Sequence, residues 1–273
     1  MNKNLVIGSA GFIGTPFCKF LEEKGESVTA FDIKDNKAQD GRSFKFDFKK
    51  YDKIYFLAWD VGGSKYLYKE DLQKAQLEWN LELMTNIFHQ LDKSKKDFMF
   101  ATSQLSEETD TVYGVTKRLG EVWTGLLKGV AIRIWNAYGE LEEKNVKSHV
   151  ISDFIHQALE TGKIEMMTDG AEWRQFTHIK DLSNAFYMAH NLKNRRKTIY
   201  DASSYEWVRI IDVANIIGKL IGAKVIPGDK TGHNPVPSQN MGRVPGWLPK
   251  ISLEDGISKM IKQAKNNINV KKT

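Results

Sequence analysis

The chain has 273 residues, a formal net charge of +6, 41% hydrophobic residues and 27% charged residues. This composition excludes wholesale disorder, and no apolar run reaches the roughly 20 residues of a membrane span. The positive charge is scattered rather than arranged in a basic stripe with aromatic residues, which argues against a nucleic-acid partner. The single cysteine, Cys18, has no disulfide partner, and the six histidines show no metal-ligand spacing. We therefore expect a soluble, cytoplasmic protein that binds no metal, membrane or nucleic acid.

A glycine-rich turn follows the first apolar segment of the chain. Asn4 to Gly8 has the pattern of a short buried strand, and Gly8-x-x-Gly11-x-x-Gly14 leads into an amphipathic helix that we predict to end near Lys24. Glycines allow the backbone to turn tightly and to approach a pyrophosphate, whose charge is favoured by the N-terminus of a helix. The pattern predicts a dinucleotide-binding loop.

A second strand, Ser27 to Asp32, ends in an acidic residue. Its distance from the glycines is that at which a carboxylate would hold the ribose hydroxyls of adenosine. An acid there repels a 2′-phosphate, so NAD is favoured over NADP. Lys34 and Lys37 lie nearby and keep NADP open as the less favoured cofactor. Alternatively, Asp32 binds no ligand and is simply a solvent-exposed residue at the end of the strand.

The next elements complete the pattern of a doubly wound parallel sheet. We predict a third strand from Ser43 to Asp47, a fourth from Asp52 to Trp59 and a long amphipathic helix from Leu72 to Leu91. Ligands of such sheets collect at the carboxyl ends of the strands. The segment from Trp59 to Lys65 lies at such an end, and its glycines would either bring backbone close to a ligand or make a turn.

The chemistry is predicted to lie between Phe98 and Lys117. An apolar strand ends there in Thr102 and Ser103, and the motif Tyr113-x-x-x-Lys117 follows. If Tyr113 opens a helix, Lys117 lies one turn further on the same face, where its ammonium would favour the ionised phenol over the unperturbed pKa of about 10. A tyrosine tuned in this way is an acid/base near neutral pH. The alternative is a chance spacing on the surface of a helix.

The second half of the chain has shorter elements. After a sixth strand, Val130 to Trp135, we predict helices at 148–160, 181–192, 210–221 and 253–265 and strands at 164–167, 173–179 and 198–202. The segment from Pro227 to Pro249 holds five of the six prolines and four glycines, which predicts a long surface loop. Ser252 is predicted to cap the last helix.

With these residues in place, the chain resembles the extended short-chain dehydrogenase/reductase family, specifically its nucleotide-sugar epimerase/dehydratase branch. The resemblance spans nearly the whole chain. Besides the glycine loop and the set of Ser103, Tyr113 and Lys117, it rests on Asp32, Asp47, Leu57-Ala58, Asn80, Arg133-x-x-Asn136-x-Tyr138-Gly139, Arg174-Gln-Phe-x-His-x-x-Asp181 and Gly246-Trp-x-Pro-x-x-Ser-Leu-Glu-Asp-Gly256.

This resemblance implies an α/β fold, with a Rossmann-type doubly wound parallel sheet and a smaller discontinuous α+β substrate lobe. The NAD-binding domain would comprise residues 1–135 with a returning segment at about 174–200, and the lobe would comprise residues 136–173 and 201–273. The resemblance also implies a homodimer that pairs the long helices containing Asn80 and Tyr113. Weak support comes from an apolar face formed by Val115, Leu119, Val122 and Leu126.

The resemblance also assigns the residues of the site. In catalysis, Tyr113 would exchange a hydroxyl proton while hydride moves to or from the nicotinamide, Ser103 would bond the same sugar oxygen, and Lys117 would hold the nicotinamide ribose. The cofactor-binding residues would be Gly8, Gly11, Phe12, Ile13, Gly14, Asp32, Ile33, Asp47, Phe48, Leu57, Ala58, Trp59 and Asn80, together with Tyr113 and Lys117. The substrate-binding residues would be Gly63, Ser64, Ser103, Asn136, His149, Arg174 and Arg243.

Three of the substrate residues also have alternatives without function. His149 would cap its helix, Asn136 would bond a turn, and Arg174 would pair with Glu172. In the functional interpretation, Arg174 faces the diphosphate, for which its guanidinium fork is well shaped.

The implied activity is that of an NAD-dependent epimerase of a nucleotide-diphosphate sugar, most simply at C4, through transient oxidation of a carbinol. Dehydration is disfavoured because Gln104-Leu105 follows Ser103 where 4,6-dehydratases carry Asp-Glu. Leu105 also stands where the 3,5-epimerase/reductases carry a cysteine, although His149 matches their second acid. Only nine residues separate Ser103 from Tyr113, so the loop over the sugar is short and the sugar is hard to identify. A reductase or dehydrogenase with exchangeable NAD(P)H, a 3,5-epimerase and a non-catalytic dinucleotide sensor stay open.

Overall fold

A parallel sheet of six strands forms the centre of the computed structural model, which describes residues 1–193, 195–232 and 241–270. In chain order, the strands are β1 (Lys3–Ile7), β2 (Ser27–Phe31), β3 (Lys53–Phe56), β4 (Phe98–Ser103), β5 (Val130–Ile134), β6 (Asn136–Tyr138), β7 (Lys163–Glu165), β8 (Trp173–Arg174), β9 (Phe176–His178), β10 (Ile199–Ala202), β11 (Val208–Arg209) and β12 (Lys224–Ile226). The central sheet has the order β10-β5-β4-β3-β1-β2, and each neighbouring pair is parallel. This arrangement confirms the predicted doubly wound sheet.

Helices cover both faces of the sheet. They are α1 (Gly14–Glu23), α2 (Ser64–Leu67), α3 (Glu70–Ser94), α4 (Val112–Leu126), α5 (Val150–Thr161), α6 (Ile179–His190), α7 (Ile210–Ile221) and α8 (Leu253–Val270). One face is packed by α1 and α6 through Phe17, Leu21 and Phe186, and the other is packed by α3 through Ile87 and Phe88. Burial on both faces explains why β3 and the first half of β4 are apolar without alternation.

The third strand predicted at Ser43 to Asp47 is wrong, because this segment has no strand. Side-chain amides of α3 take the place of a strand partner: Asn86 donates to the Phe44 carbonyl at 3.0 Å, and Gln90 accepts from the N–H of Phe46 at 2.7 Å. The two phenylalanine rings pack against the ring of Phe31 instead of lying on one face of a strand. The sheet therefore ends at β2.

A separate hydrophobic cluster lies outside the sheet. It joins α5, α7 and α8 through residues such as Ile155, Ile217 and Met260. We keep the division into an NAD-binding domain and a substrate lobe as a proposal, which these separate clusters support. Two details bear on the boundaries of these two parts. The returning segment of the NAD-binding domain continues through β10 to Ala202, and Trp247, predicted in the lobe, packs into the hydrophobic cluster of the sheet.

The last helix begins where the sequence predicts. The Ser252 hydroxyl accepts a hydrogen bond from the N–H of Asp255 at 3.2 Å, which confirms the predicted cap, and the helix runs to Val270 rather than to about residue 265. Of the predicted loop from Pro227 to Pro249, residues 233–240 lie outside the described residues. Among the helices described, none is long and apolar enough to cross a membrane.

Candidate active site

A cleft with a volume of about 450 Å³ opens at the carboxyl ends of the central strands. Its wall includes the last residues of β1, β2, β4 and β5 and the segment that follows β3. The predicted residues that line it are Gly8, Gly11, Phe12, Ile13, Gly14, Asp32, Ile33, Leu57, Ala58, Trp59, Gly63, Ser64, Ser103, Tyr113, Lys117, Asn136, His149 and Arg174. Cofactor, catalytic and substrate candidates from distant parts of the chain therefore meet in one cleft.

The glycine loop forms a cradle with no room for side chains. Gly8 has a φ of +97°, and a Cβ atom there would lie 2.5 Å from the backbone nitrogen of Ala58. A Cβ atom on Gly14 would lie 1.9 Å from the carbonyl oxygen of Gly8. α1 begins at Gly14 and carries no acidic residue in its first turn. This loop and helix N-terminus suit a pyrophosphate, which needs close backbone N–H groups and no negative charge nearby.

Asp32 lies directly after β2 and is buried. Its carboxylate accepts hydrogen bonds from the N–H groups of Ala10 at 3.0 Å and Lys34 at 2.9 Å. A carboxylate has about four acceptor positions, so positions remain for the hydroxyls of a ribose. The Lys34 ammonium lies 3.5 Å from the Ala10 carbonyl. Lys34 also lines the cleft, whereas Lys37 does not.

Asp47 and Phe48 do not line the cleft, contrary to the expectation from the resemblance. Asp47 is more than half exposed and pairs with Lys50 at 3.2 Å, while Phe48 is buried in the core below the sheet. The segment before them is irregular and forms hydrogen bonds with side chains of α3. The same end of the cleft is lined instead by residues that sequence reasoning missed, among them Asp40, Gly41, Trp79 and Leu83.

Asn80 is likewise absent from the cleft wall. It is fully buried, and its amide binds both backbone groups of Asp60, accepting from the N–H at 2.8 Å and donating to the carbonyl at 3.2 Å. Asn80 therefore fixes the course of the chain after β3, where Trp59 and Asp60 line the cleft.

Lys117 is buried in the cleft floor one turn along α4 from Tyr113. Its ammonium donates to the carbonyl of Ala101 at 2.7 Å and lies 4.0 Å from the centroid of the Trp59 ring. Burial lowers the pKa of Lys117 well below its usual value, and the Glu121 carboxylate opposes part of that change.

Tyr113 is 8% exposed, and its ring centroid lies 5.9 Å from the Lys117 ammonium. Burial raises the pKa of Tyr113 to about 12, and a hydrogen bond with the Ser103 hydroxyl opposes the rise. The expected lowering of the phenol pKa is therefore not present in this state. The physical reason is that burial outweighs the influence of Ser103, while the Lys117 ammonium donates to the Ala101 carbonyl.

A buried ion-pair network supports the end of β4. Arg133 is fully buried and donates to both carboxylate oxygens of Glu121 at 2.8 Å and to Glu107 at 2.6 Å. Glu121 also accepts from the hydroxyls of Thr102 at 3.0 Å and Ser106 at 2.7 Å. Because every charge in this buried cluster is paired, the network holds the chain on both sides of Ser103 in place.

The substrate candidates lie at the other end of the cleft, which continues into a smaller cavity of about 150 Å³. The Asn136 amide donates to the carbonyl of Gln175 at 2.9 Å. The His149 ring stacks on Phe12 with 5.6 Å between centroids, and its Nδ1 lies 2.9 Å from the Glu142 carboxylate. His149 precedes α5 but makes no side-chain cap hydrogen bond, so the capping alternative is wrong.

Arg174 lines both cavities from β8. It donates to the carbonyl of Trp173 at 2.8 Å. Burial lowers the pKa of Arg174, and the nearby Glu172, Tyr68 and Glu108 oppose that change. The Arg174 guanidinium therefore lines the cleft with the carboxylates of Glu172 and Glu108 near it.

Arg243 is the one predicted substrate residue that lies elsewhere. It is exposed and lines neither cavity. Its guanidinium lies over the Tyr205 ring at 4.0 Å, and its backbone forms a bridge with Asp201 of β10. Pairing with the edge strand of the sheet directs this part of the chain away from the cleft.

Two further contacts of the cleft wall were not predicted from the sequence. The Lys147 ammonium pairs with Asp60 at 2.5 Å, and the Tyr66 hydroxyl donates to the same carboxylate at 2.6 Å. The short loop before α4 contributes Glu108 to the wall. None of these residues belongs to a motif. For Glu108, the short separation of Ser103 and Tyr113 was the one feature of the sequence that pointed to this loop.

A family model and several known proteins resemble this chain. The model of the NAD dependent epimerase/dehydratase family matches residues 4–202. A putative UDP-glucose 4-epimerase of Methanocaldococcus jannaschii is 28% identical over 169 residues, so the chain spans about half of that protein, with 57% of this chain and 53% of the relative covered. A UDP-N-acetyl-alpha-D-glucosaminuronate decarboxylase of Bacillus cytotoxicus is 25% identical over 94% of this chain and 96% of that protein.

A solved structure of UDP-glucose 4-epimerase from Thermotoga maritima has the same fold, with a TM-score of 0.75 at 16% identity and coverage of 97% of this chain and 99% of that one. The matched residues of the family model include the glycine loop, Asp32, Ser103, Tyr113 and Lys117. This protein therefore belongs to the NAD dependent epimerase/dehydratase family of enzymes.

Proposed function

We propose that the protein is an NAD-dependent nucleotide-sugar epimerase that acts at one carbinol carbon, most simply C4. The observation that carries this proposal is that Ser103, Tyr113 and Lys117 line the same cleft as the glycine loop and Asp32. A proton-transfer group and a dinucleotide site in one cleft are what reversible oxidation of a hydroxyl requires.

The residues present fit NAD. The loop from Gly8 to Gly14 has no room for side chains, and Asp32 keeps acceptor positions for ribose hydroxyls. We assign the pyrophosphate to the N-terminus of α1, the adenosine ribose to Asp32 and the nicotinamide ribose to Lys117. The chemistry that bound NAD supplies is reversible two-electron oxidation of the carbinol.

Tyr113 takes the proton of the sugar hydroxyl and returns it after the sugar has turned. Burial raises the pKa of this phenol to about 12, so Tyr113 first releases its own proton to water and then acts on the sugar hydroxyl as the phenolate. A positive charge close to the phenol oxygen stabilises the phenolate, so Lys117 activates Tyr113 when its ammonium leaves the Ala101 carbonyl. Ser103 lines the same cleft, where its hydroxyl donates to the Gln104 side chain at 3.0 Å, and it orients the hydroxyl that reacts.

Arg174 binds the diphosphate of the substrate. It lines the cleft and the smaller cavity, and a guanidinium pairs with two phosphate oxygens at once. Asn136 and His149 line the same two cavities and contact the sugar.

The test is incubation of the purified protein with UDP-, dTDP- and GDP-sugars, followed by separation of isomers. Formation of a C4 isomer without added cofactor is the expected result, because an epimerase regenerates its bound NAD in each cycle. A strict requirement for stoichiometric NAD(P)H would contradict the proposal.

A second candidate is a 3,5-epimerase/reductase of keto-sugars. It is favoured by the pair of His149 and Glu142, whose atoms lie 2.9 Å apart beside the cleft and form a second acid/base pair. Leu105 argues against it, because an apolar side chain stands where that chemistry needs another proton-transfer group. Incubation of a 4-keto sugar in deuterated water separates the candidates, since only 3,5-epimerisation exchanges the C3 and C5 hydrogens with solvent.

A further inference from the structure

The loop between Ser103 and Tyr113 is held in one position by the first turn of α4. The N–H of Glu108 donates to the Leu105 carbonyl at 2.9 Å. The Thr111 hydroxyl donates to the Glu108 carbonyl at 3.1 Å and accepts from the N–H of Gly114 at 3.0 Å. A Cβ atom on Gly114 would lie 2.0 Å from the Glu108 carbonyl oxygen, so the loop lies directly on the helix that carries Tyr113.

Glu108 lies in the wall of the cleft that Tyr113 also lines, and its side chain is partly buried. Its Oε2 accepts a hydrogen bond from the Tyr68 hydroxyl at 3.3 Å. Its Oε1 is buried, and none of the described residues donates to it. A buried acceptor without a donor costs free energy, and a ligand that supplies the donor removes this cost.

Glu108 and Arg174 line the same part of the cleft with opposite charges. A guanidinium suits the diphosphate of a nucleotide sugar, and a carboxylate suits the hydroxyl or amino hydrogens of the sugar. A carboxylate also repels a second carboxylate, and this repulsion is strong where water is excluded.

We propose that Glu108 is a specificity-determining residue, which accepts a hydrogen bond from a hydroxyl or amino group of the sugar and rejects sugars that carry a carboxylate. The inference rests on the proposed function and narrows its substrate class to nucleotide sugars without a uronate group.

The test compares two probes that differ only at C6, UDP-glucose and UDP-glucuronic acid. Their dissociation constants are measured by calorimetry on the full chain with saturating NAD, so the result does not depend on turnover. Because like-charge repulsion rejects the wrong ligand, we expect the parent protein to bind UDP-glucose at least about ten-fold more tightly. Glu108→Gln keeps the size of the side chain and removes the charge, and it should reduce this preference by about ten-fold, mainly through tighter binding of the uronate.

The control is Asp110→Asn, which removes the same charge from the same loop at an exposed position that does not line the cleft. It should leave the preference unchanged within about two-fold. Tyr68→Phe provides a second variant, because it removes the hydroxyl that holds Oε2 and should reduce the preference several-fold without changing any charge.

A parent protein that binds both probes equally, or a Glu108→Gln variant that keeps the full preference, would overturn the inference and leave the proposed epimerase untouched. If UDP-glucose binds with the expected preference but no isomer forms, the proposed reaction is wrong and the role of Glu108 stands. If neither probe binds while NAD does, the inference about Glu108 is wrong, and the isomer assay with dTDP- and GDP-sugars decides the proposed reaction.

Discussion

The ammonium of Lys117 lies 4.0 Å from the centroid of the Trp59 ring. This contact partly replaces the water that the buried ammonium has lost, because the face of an indole ring attracts a cation. The second contact of the ammonium is the Ala101 carbonyl at 2.7 Å. Trp59 is therefore a positioning residue that stabilises the charged form of Lys117.

Replacement of Trp59 tests this role through the pH dependence of kcat/KM. Cation–π attraction contributes about 0.5–2 kcal/mol, so Trp59→Leu should lower the pKa of Lys117 further. A lysine is charged below its pKa, so the alkaline limb of the profile should move to lower pH. Trp59→Phe keeps an aromatic face, so it should move the alkaline limb less than Trp59→Leu does. An alkaline limb that does not move in Trp59→Leu would show that the ring has no influence on the ammonium.

The assignment of Tyr113 is tested by Tyr113→Phe, which keeps the ring and deletes the ionisable oxygen. Folding and NAD affinity should change little, whereas the single-turnover rate should fall by about 10² to 10⁴-fold, as expected for loss of a general acid/base. Lys117→Met should weaken both the rate and NAD binding, and Ser103→Ala should cost less than either. A Tyr113→Phe enzyme within a few fold of the parent would leave the Tyr-x-x-x-Lys spacing as a coincidence on a helix.

The preference for NAD over NADP is tested at Asp32. Titration should show tighter binding of NAD(H), because the carboxylate repels a 2′-phosphate, and Asp32→Ala should narrow the difference. Asp35→Ala is the matched control, since this acid is exposed and does not line the cleft. Equal or reversed affinities in the parent protein would disprove the preference.

A homodimer stays a prediction that the exposed side of α4 supports. Leu119, Val122 and Leu126 are 44%, 52% and 76% exposed on this helix. We expect sedimentation to show a dimer and Leu126→Glu to convert it to a monomer, because a charge at an apolar contact is costly to bury. Leu248→Glu, at a residue that is 58% exposed elsewhere, should leave the dimer intact. A parent protein that sediments as a monomer at working concentration contradicts this prediction.

The stability of the fold should fall in mild acid because of His178. Burial lowers the pKa of His178 to about 4, with Asp181 opposing the change and Lys259 and Lys180 adding to it. A histidine with a depressed folded pKa stabilises the fold fully above its unfolded pKa, and this contribution is lost as the pH falls. Between pH 7 and pH 5 the loss should be roughly 2 kcal/mol.

Urea unfolding at these two pH values measures this effect. The His178 Nδ1 accepts the N–H of Lys180 at 3.2 Å, so His178→Asn keeps a capping acceptor and removes the titrating ring. The variant should lose less stability on acidification than the parent. The control is His89→Asn at an exposed position, and an equal loss in the parent and in His178→Asn would exclude the buried ring as the cause.

The features predicted correctly from the sequence are those encoded by neighbouring residues. Gly8, Gly14 and Asp32 lie in the cleft because a strand, a tight turn and a helix follow one another, and local chemistry determines each of them. The same holds for Tyr113 and Lys117, since one helical turn fixes their common face.

The errors arose where distant side chains decide the outcome. The segment at Ser43 to Asp47 forms no strand, because its backbone bonds the side-chain amides of Asn86 and Gln90. These residues lie more than 40 residues further along the chain. The place of Glu108 depends on the packing of a loop on Gly114, and the Lys117 ammonium contacts both the Ala101 carbonyl and the Trp59 ring. No spacing within the sequence encodes these contacts.

The pair of Lys147 and Asp60 joins two walls of the cleft that are 87 residues apart in the chain. The backbone supports the same closure, because the N–H of Gly63 donates to the Lys147 carbonyl at 2.9 Å. A dinucleotide that left past these contacts would have to break them, which would lengthen its residence time. An epimerase that regenerates NAD in every turnover gains nothing from rapid exchange with the cellular pool. In the proposed epimerase, a cleft tied in this way would retain one cofactor molecule through many catalytic cycles, and the nucleotide sugar would be the ligand that enters and leaves.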